Sequence, residues 1–214
     1  MKKKLNKKLF VASFLVFVFV TQFYSMVENA FAVTDNVVVT LTVDESITIS
    51  DGAAITMAPN ISVSANGSIG SSSWTVITNS DTGYNLVVGA STTPALVHSN
   101  TTDSFANYTE AVAGTPEAWS VPAAAKEFGY SAFGTDTATG TWGAAASCGA
   151  AGVPSGTQLY VGFVGTATKN IATRASVTPV AGIATTFCVA AEQDTVFAPA
   201  GVYTATITGT ATVI

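Results

Sequence analysis

The stretch Gly201-Val202-Tyr203-Thr204-Ala205-Thr206-Ile207-Thr208-Gly209-Thr210-Ala211-Thr212-Val213-Ile214 decides how the rest of the chain is interpreted. Threonine occupies every second position from Thr204 to Thr212, and the positions between are mostly apolar. Because a β-strand directs successive side chains to opposite faces, this stretch predicts a strand with one apolar and one hydroxyl face. β-Branched threonines also lose side-chain freedom in a helix. A single strand is not stable alone, so the stretch requires a sheet that covers its apolar face.

The segment at residues 33–43 alternates in the same way. Val37, Val39, Leu41 and Val43 fall on one face of a strand, with valine and threonines on the other. The run Ile47-Thr48-Ile49 continues the pattern before an Asp-Gly turn signal. Ile55 to Val63 is apolar but contains Pro59, which restricts it to an edge strand or to two short ones. The N-terminal part of the chain is therefore predicted to be β.

The segments 73–78 and 84–88 are predicted to form a β-hairpin. Trp74, Val76 and Thr78 share a face of the first strand, and Tyr84, Leu86 and Val88 share a face of the second. The five polar residues between them end in Gly83, which suits a hairpin loop with a left-handed exit. Trp74 lies inside a periodic strand and is expected to be a core residue.

Further strand candidates occur along the rest of the chain. They lie at residues 95–98, 105–108, 118–121, 128–133, 158–164, 175–180 and 185–190. Residues 90–156 are rich in small residues and prolines and are expected to be loop-rich. Many short strands separated by turns predict an all-β fold, a single antiparallel β-sandwich of Ig-like or jelly-roll-like type over residues 33–214, with a barrel as the alternative. Its core is expected to contain Val37, Val39, Leu41, Trp74, Val76, Leu86, Val161, Phe163, Phe187, Tyr203 and Ile207.

Residues 1–32 have the layout of a secretory signal peptide. Five lysines lie between Lys2 and Lys8, an apolar run follows from Leu9 to Val20, and Ala30-Phe31-Ala32 supplies an A-x-A cleavage site. The apolar run is shorter than the roughly 20 residues that span a bilayer, which favours cleavage after Ala32 over a membrane anchor. A secreted or cell-surface protein is predicted, with no membrane association after cleavage.

The charge of residues 33–214 excludes one class of partner. Only Lys126, Lys169 and Arg174 are cationic, against twelve acidic side chains, a formal net charge of −9. A chain with so few cations cannot hold a phosphate backbone, so no nucleic-acid binding is expected.

The two cysteines, Cys148 and Cys188, are predicted to form a disulfide, because an exported chain meets an oxidising environment. Two buried thiols are the alternative. Neither cysteine has the histidine neighbours of a zinc site, so no metal and no cofactor are predicted.

No catalytic set is recognisable in the sequence. His98 is the only histidine, no nucleophile-elbow motif is present, and His98 is expected to be a polar surface residue. The acidic residues occur mostly in turns, where aspartate is favoured by local hydrogen bonding. A non-enzymatic protein is therefore predicted, and no catalytic residue is assigned.

Two short stretches resemble the WxL-type cell-wall-binding modules of Gram-positive bacteria. One is Trp74-Thr75-Val76 with the following Gly83-Tyr84-Asn85-Leu86, and the other is the segment Gly201–Thr208. Both depart from the family pattern, since Val76 replaces a leucine and Gly209 stands where a second tryptophan is expected. The resemblance covers some thirty residues and implies non-covalent attachment to peptidoglycan.

Three functions remain open from the sequence. The first is a secreted structural or binding protein of the cell surface that associates with cell-wall polysaccharide or with other surface proteins, including itself. The second is a pilus or filament subunit assembled by strand exchange through residues 33–43. The third is a secreted carbohydrate-active enzyme that uses a pair of carboxylates, which sequence alone cannot identify.

Overall fold

The computed structural model describes residues 13–18, 34–50 and 52–214. The chain divides into two compact units, Met1–Val43 and Asp44–Ile214. In the first unit residues 13–18 are helical (α1), and residues 34–43 have no regular secondary structure. The lysine cluster and the cleavage site after Ala32 lie outside the described residues. Where the structure describes the chain, it contains no helix of the length and apolarity that a membrane span requires.

The second unit, called the β unit below, consists almost entirely of strands joined by turns. Its elements in chain order are β1 (Ile47–Ile49), β2 (Gly67–Thr78), β3 (Tyr84–Ala90), β4 (Leu96–His98), β5 (Ser104–Asn107), β6 (Glu117–Ala118), β7 (Lys126–Gly134), α2 (Thr139–Trp142), β8 (Gly149–Ala150), β9 (Val153–Pro154), β10 (Leu159–Tyr160), β11 (Lys169–Arg174), β12 (Ile183–Gln193), β13 (Tyr203–Thr204) and β14 (Ile207–Val213).

The strands form two principal sheets. A seven-stranded sheet has the order β1-β2-β12-β7-β5-β4-β13, and a three-stranded sheet has the order β11-β3-β14. The pairings in both are antiparallel except that of β5 with β7, which is parallel. Two pairs of very short strands, β6 with β10 and β8 with β9, complete the unit.

The two principal sheets pack their apolar faces together. On β2 the inward positions include Trp74 and Val76, and on β3 they include Leu86 and Val88; all four are buried. β12 and β7 add Phe187 and other aromatic side chains to the same core. The prediction of an all-β fold is confirmed.

The hairpin predicted from residues 73–88 is wrong. β2 pairs with β1 and β12 in the larger sheet, whereas β3 pairs with β11 and β14 in the smaller one. The loop at residues 79–83 therefore crosses from one sheet to the other, so that β2 and β3 face each other through their side chains. Alternation identifies the apolar face of each strand, but it does not tell whether two apolar faces lie side by side or opposite each other.

Two further strand predictions fail. Residues 175–180, which were expected to form a strand, contain none. The strand in this part of the chain is β11, which ends at Arg174. Residues 34–43 contain no strand, and Val37, Val39 and Leu41 are 84%, 86% and 84% exposed rather than part of the core. A strand forms only beside a partner strand, and the alternation of a segment does not say where that partner comes from.

Most of the other predicted core residues are buried. Six are buried, namely Trp74, Val76, Leu86, Val161, Phe163 and Phe187. Tyr203 and Ile207, which belong to the C-terminal stretch, are only partly buried and pack against the core from its margin. The apolar side chains of β13 and β14 are therefore incompletely covered by neighbouring elements, and this side of the β unit is open to solvent.

The outer face of the seven-stranded sheet carries a second, smaller core. The disulfide between Cys148 and Cys188 lies there, with a Cα–Cα distance of 5.5 Å, and the predicted pairing is confirmed. Tyr108 and Tyr160 are buried beside it, and the Tyr160 hydroxyl donates to the Cys148 carbonyl (3.1 Å). The disulfide thus joins the loop around Cys148 to the central strand β12.

Candidate functional site

A cavity of about 1410 Å³ opens over the inward face of the seven-stranded sheet. Its floor is the inward face of the seven-stranded sheet, where Trp74, Phe128, Phe187 and Val189 line it. One wall is the chain segment at residues 52–63, and the other is the segment at residues 197–209. This cavity is the candidate site and is called the groove below.

Small residues on β2 leave room for the groove. Ser68 and Ser72 line the groove at inward positions opposite Ala191 and Phe187 on β12, whereas Ile55 and Met57 fill the space over Gly70 between them. The Ser72 hydroxyl is buried without a hydrogen-bond partner among the described residues. Neighbouring strands usually fill such a face with large apolar side chains, so the small residues keep this part of the core open.

The stretch Tyr203–Gly209 presents an unpaired backbone edge to the groove. β13 and β14 each lie at the end of their sheet. The Ser99 N–H donates to the Val202 carbonyl (2.9 Å), and the Ser91 N–H donates to the Thr206 carbonyl (3.0 Å). Because main-chain groups alternate in direction along an antiparallel strand, even-numbered residues point to β3 and β4. The N–H and C=O groups of the odd-numbered residues point the other way and are available to a further strand.

Side chains along the same stretch follow the alternation seen in the sequence. Tyr203, Ala205 and Ile207 are partly buried and line the groove, while Thr204 and Thr206 are exposed. The Tyr203 hydroxyl donates to the Pro199 carbonyl (3.0 Å). Burial raises the pKa of this phenol above its ordinary value, and the nearby charge of Asp103 adds to the increase. The hydroxyl is therefore neutral at physiological pH.

The opposite wall is an irregular edge segment. Ala58 pairs with Ile69 of β2 through two backbone hydrogen bonds of 2.8 and 3.1 Å. Ile55, Met57 and Ile61 pack against the core from this side and are partly buried. Pro59 lacks an N–H and limits the segment to this short pairing, as the sequence predicts for an edge strand.

The groove is lined by uncharged side chains wherever the structure describes its lining. None of the described residues that line it is acidic, basic or histidine. Among the described residues, the polar groups of the lining are hydroxyls, amides and main-chain groups. An uncharged, extended ligand matches this lining, whereas a charged group would lose its hydration without gaining a partner.

His98, to which the sequence assigns no catalytic role, packs inside the β unit. His98 is buried, not a surface residue as the sequence suggested. Its Nδ1 accepts from the Asn100 N–H (2.9 Å), and its Nε2 lies 3.3 Å from the Ala200 carbonyl. Its ring packs edge-on against Tyr203, with ring centroids 4.7 Å apart. His98 thus connects the loop after β4, through Nδ1 and Asn100, to the groove wall, through Nε2, Ala200 and the ring of Tyr203.

Acidic side chains mostly tie loops together. Asp136 accepts from the Tyr84 hydroxyl (2.9 Å) and pairs with Arg174 (3.2 Å). Glu192 accepts from the Trp119 indole N–H (2.6 Å). Within residues 13–18, 34–50 and 52–214, no three side chains among histidine, cysteine, aspartate and glutamate lie close enough together to hold a metal ion.

Fold and groove together define an all-β protein with a cavity whose described lining is uncharged and which lies beside a free strand edge. No family model, no curated protein and no solved structure matches the chain. The sequence analysis did not predict the groove, although the small residues at alternate positions of β2 were a visible signal for it.

Proposed function

We propose that the protein is an exported, non-enzymatic structural protein of the cell surface whose open β-sandwich binds an extended polypeptide strand. The observation that carries this proposal is the groove, which combines an apolar floor with the free backbone edge of Tyr203–Gly209. Strand addition uses such an edge for main-chain hydrogen bonds and the pockets beside it for alternate side chains.

The size of the groove favours a polypeptide over a small molecule. Small-molecule sites have volumes of roughly 300–1,000 Å³, and the groove is larger at about 1410 Å³. Its two walls run along it as chain segments, so an added strand would lie between them. A strand with apolar residues at alternate positions and no charge is the chemistry that this lining accepts.

Export is supported by two independent features. The N-terminal sequence has the layout of a signal peptide, and the disulfide between Cys148 and Cys188 is typical of an oxidising compartment. Cell-wall polysaccharide remains a predicted partner from the sequence resemblance, but the free main-chain edge of the groove argues for a polypeptide.

Peptide binding tests the proposal. Because the chain carries its own alternating segment at residues 37–43, the test uses the exported full-length chain with Val39→Asp and Leu41→Asp. We expect a peptide of alternating valine and threonine to protect the amides of Tyr203–Gly209 from hydrogen exchange. A peptide of the same composition with its valines and threonines in two blocks is the matched control.

The outcomes distinguish strand binding in the groove from cell-wall binding elsewhere on the protein. Protection by the alternating peptide alone supports strand binding. Equal protection by both peptides, or by neither, contradicts it. Sedimentation with purified peptidoglycan that alternating peptide does not reduce would instead favour wall binding at another surface.

A further inference from the structure

The segment Val37–Val43 exposes an apolar face that one copy of the chain leaves uncovered. Val37, Val39, Leu41 and Val43 are 84%, 86%, 84% and 72% exposed. Exposed apolar residues that follow each other at strand spacing indicate an interaction surface rather than scattered surface residues. The segment contains no charged residue, and acidic residues flank it on both sides.

Its length and pattern match those of the free edge. Val37–Val43 and Tyr203–Gly209 each contain seven residues. In both, the odd-numbered positions are mostly apolar and threonine dominates the even-numbered ones. A strand added along Tyr203–Gly209 with its odd-numbered residues directed inward would fill the groove with valine and leucine. Its threonines would then lie beside Thr204, Thr206 and Thr208, where cross-strand threonine pairs are favourable.

The connection to the β unit favours a second copy as the acceptor. The Asp44 carbonyl accepts from the Asn79 side chain (2.8 Å), and the Ser46 N–H donates to the same side chain (2.7 Å). The β unit therefore begins at the Thr78 end of β2. The groove extends from Ile49 toward Ser68, at the other end of β2. A segment that precedes Asp44 would have to reverse its direction to enter the groove of its own chain.

We propose that residues 37–43 of one copy occupy the groove of a second copy, as an added strand along Tyr203–Gly209. This inference rests on the proposed function, because it names the strand that the groove binds. Each copy then carries one donor segment and one acceptor groove on different parts of its surface. Such a head-to-tail interface generates a ring if the rotation between copies closes and an open filament if it does not.

Two variants, each disabled in one half of the interface, test the exchange. Val39→Asp with Leu41→Asp places charges on the donor segment. Ala205→Pro removes an N–H that points to the groove and has no hydrogen-bond partner in the described part of the chain. By light scattering on exported full-length protein, we expect the unchanged chain to form oligomers and each variant alone to be monomeric.

Mixing the two variants is the decisive measurement. The donor-disabled chain retains an intact groove, and the Ala205→Pro chain retains an intact donor segment. We expect the mixture to form dimers and no larger species. A mixture that remains monomeric while the unchanged chain forms oligomers would overturn the proposal, as would oligomers of either variant alone.

Cross-linking tests the register. Thr40 and Thr206 are the central residues of the two stretches, so they lie opposite each other whichever direction the added strand runs. The main-chain groups of Thr206 point toward β3, so in an antiparallel arrangement this is a non-hydrogen-bonded pair with a Cα–Cα distance of about 4.5 Å. A disulfide spans roughly 4.4–6.8 Å. We expect a chain with Thr40→Cys and Thr206→Cys to give a ladder of disulfide-linked oligomers on a non-reducing gel.

The matched control moves the acceptor cysteine along the same strand. Thr212 is exposed on the same face, about 20 Å from Thr206 along the strand. A chain with Thr40→Cys and Thr212→Cys should give at least tenfold less cross-linked product. Equal yields from the two chains, or a disulfide within a single chain, would overturn the proposal.

The peptide experiment distinguishes failure of the exchange between copies from failure of strand binding itself. If the alternating peptide protects Tyr203–Gly209 while a peptide with the sequence of residues 35–45 does not, the groove binds a strand from another protein and only the present inference fails. If neither peptide protects this stretch, the proposed function fails with it.

Discussion

Gly209 of β14 lies directly against the indole ring of Trp74 on β2. A Cβ atom at position 209 would come within 2.8 Å of the indole Cε2, a distance that requires one of the two residues to shift. The absence of a side chain at Gly209 allows Trp74 to bridge the two principal sheets at the end of the groove.

Replacing Gly209 by alanine should destabilise the protein. The added methyl group overlaps a ring that is itself buried against Phe187, and overpacking of this kind costs about 1–3 kcal/mol. Denaturant unfolding of the variant measures the loss. Gly156→Ala is the control, because nothing lies within 4 Å of a Cβ atom there. Equal stability of the two variants would contradict the packing described for Trp74.

Removing the disulfide should lower stability without changing the fold of the larger sheet. Cys148 and Cys188 are separated by 40 residues in the sequence, and closing such a loop stabilises by roughly 4 kcal/mol in the chain-entropy model, with about 2–4 kcal/mol typical in practice. The double variant Cys148→Ala, Cys188→Ala should unfold at lower denaturant concentration. Reduction of the unchanged protein should reproduce the effect, and reductant should leave the double variant unaffected. A reductant effect on the variant would be inconsistent with this account.

Ionisation of Glu127 should make stability fall as the pH rises. Burial raises the pKa of this carboxyl above its ordinary value of 4.5, and the charge of Glu110 adds to the increase while hydrogen bonds from Thr109 oppose it. The folded state then holds the proton more tightly than the unfolded state. The contribution of Glu127 to stability therefore declines as the pH rises from the ordinary pKa through the raised pKa, and it no longer changes with pH above the raised pKa.

Glu127→Gln tests this pH dependence. The amide does not ionise, so the decline attributable to this side chain should disappear from thermal unfolding curves recorded across the acidic range. Asp103→Asn, at a side chain hydrogen-bonded to Asn100 near the surface, is the control and should leave the decline in place. An unchanged profile in the Glu127 variant would exclude Glu127 as its source.

Asp136→Ala should destabilise the contact between the loop after β7 and the smaller sheet. The carboxylate accepts from the Tyr84 hydroxyl and pairs with Arg174, and its side chain is only 7% exposed. Loss of hydrogen bonds to a charged group costs about 1.5–3 kcal/mol each. Tyr84→Phe removes only one of the two contacts and should cost less. Equal losses in denaturant unfolding would show that Arg174 adds nothing.

The sequence predicted the buried face of each strand better than it predicted which strands pair. The period of two identified the inward residues Trp74, Val76 and Leu86, all of which are buried. The same period could not show that β2 and β3 lie in different sheets, because partner choice depends on contacts between residues distant in the chain. The predicted disulfide is present because the chain has only two cysteines and the fold brings them together.

The candidate site was beyond what the sequence could specify. The groove lies over the inward face of the seven-stranded sheet and is lined by two segments that are far apart in the sequence, residues 52–63 and 197–209. Each segment is unremarkable in composition, and their separation is a property of the folded unit. The exposed donor segment was visible in the sequence as an alternating pattern, but its exposure was not.

The sequence by itself determined the all-β class, the apolar face of each strand and the pairing of Cys148 with Cys188. These features are predictable because side-chain alternation and the number of cysteines can be determined from the sequence without the fold. Only the tertiary structure decided which strands are neighbours, that Val37–Val43 is uncovered, and that Tyr203–Gly209 keeps a free edge. The physical reason is that backbone hydrogen bonds between strands are chemically alike at every position, so the packing of the whole unit selects which of them form.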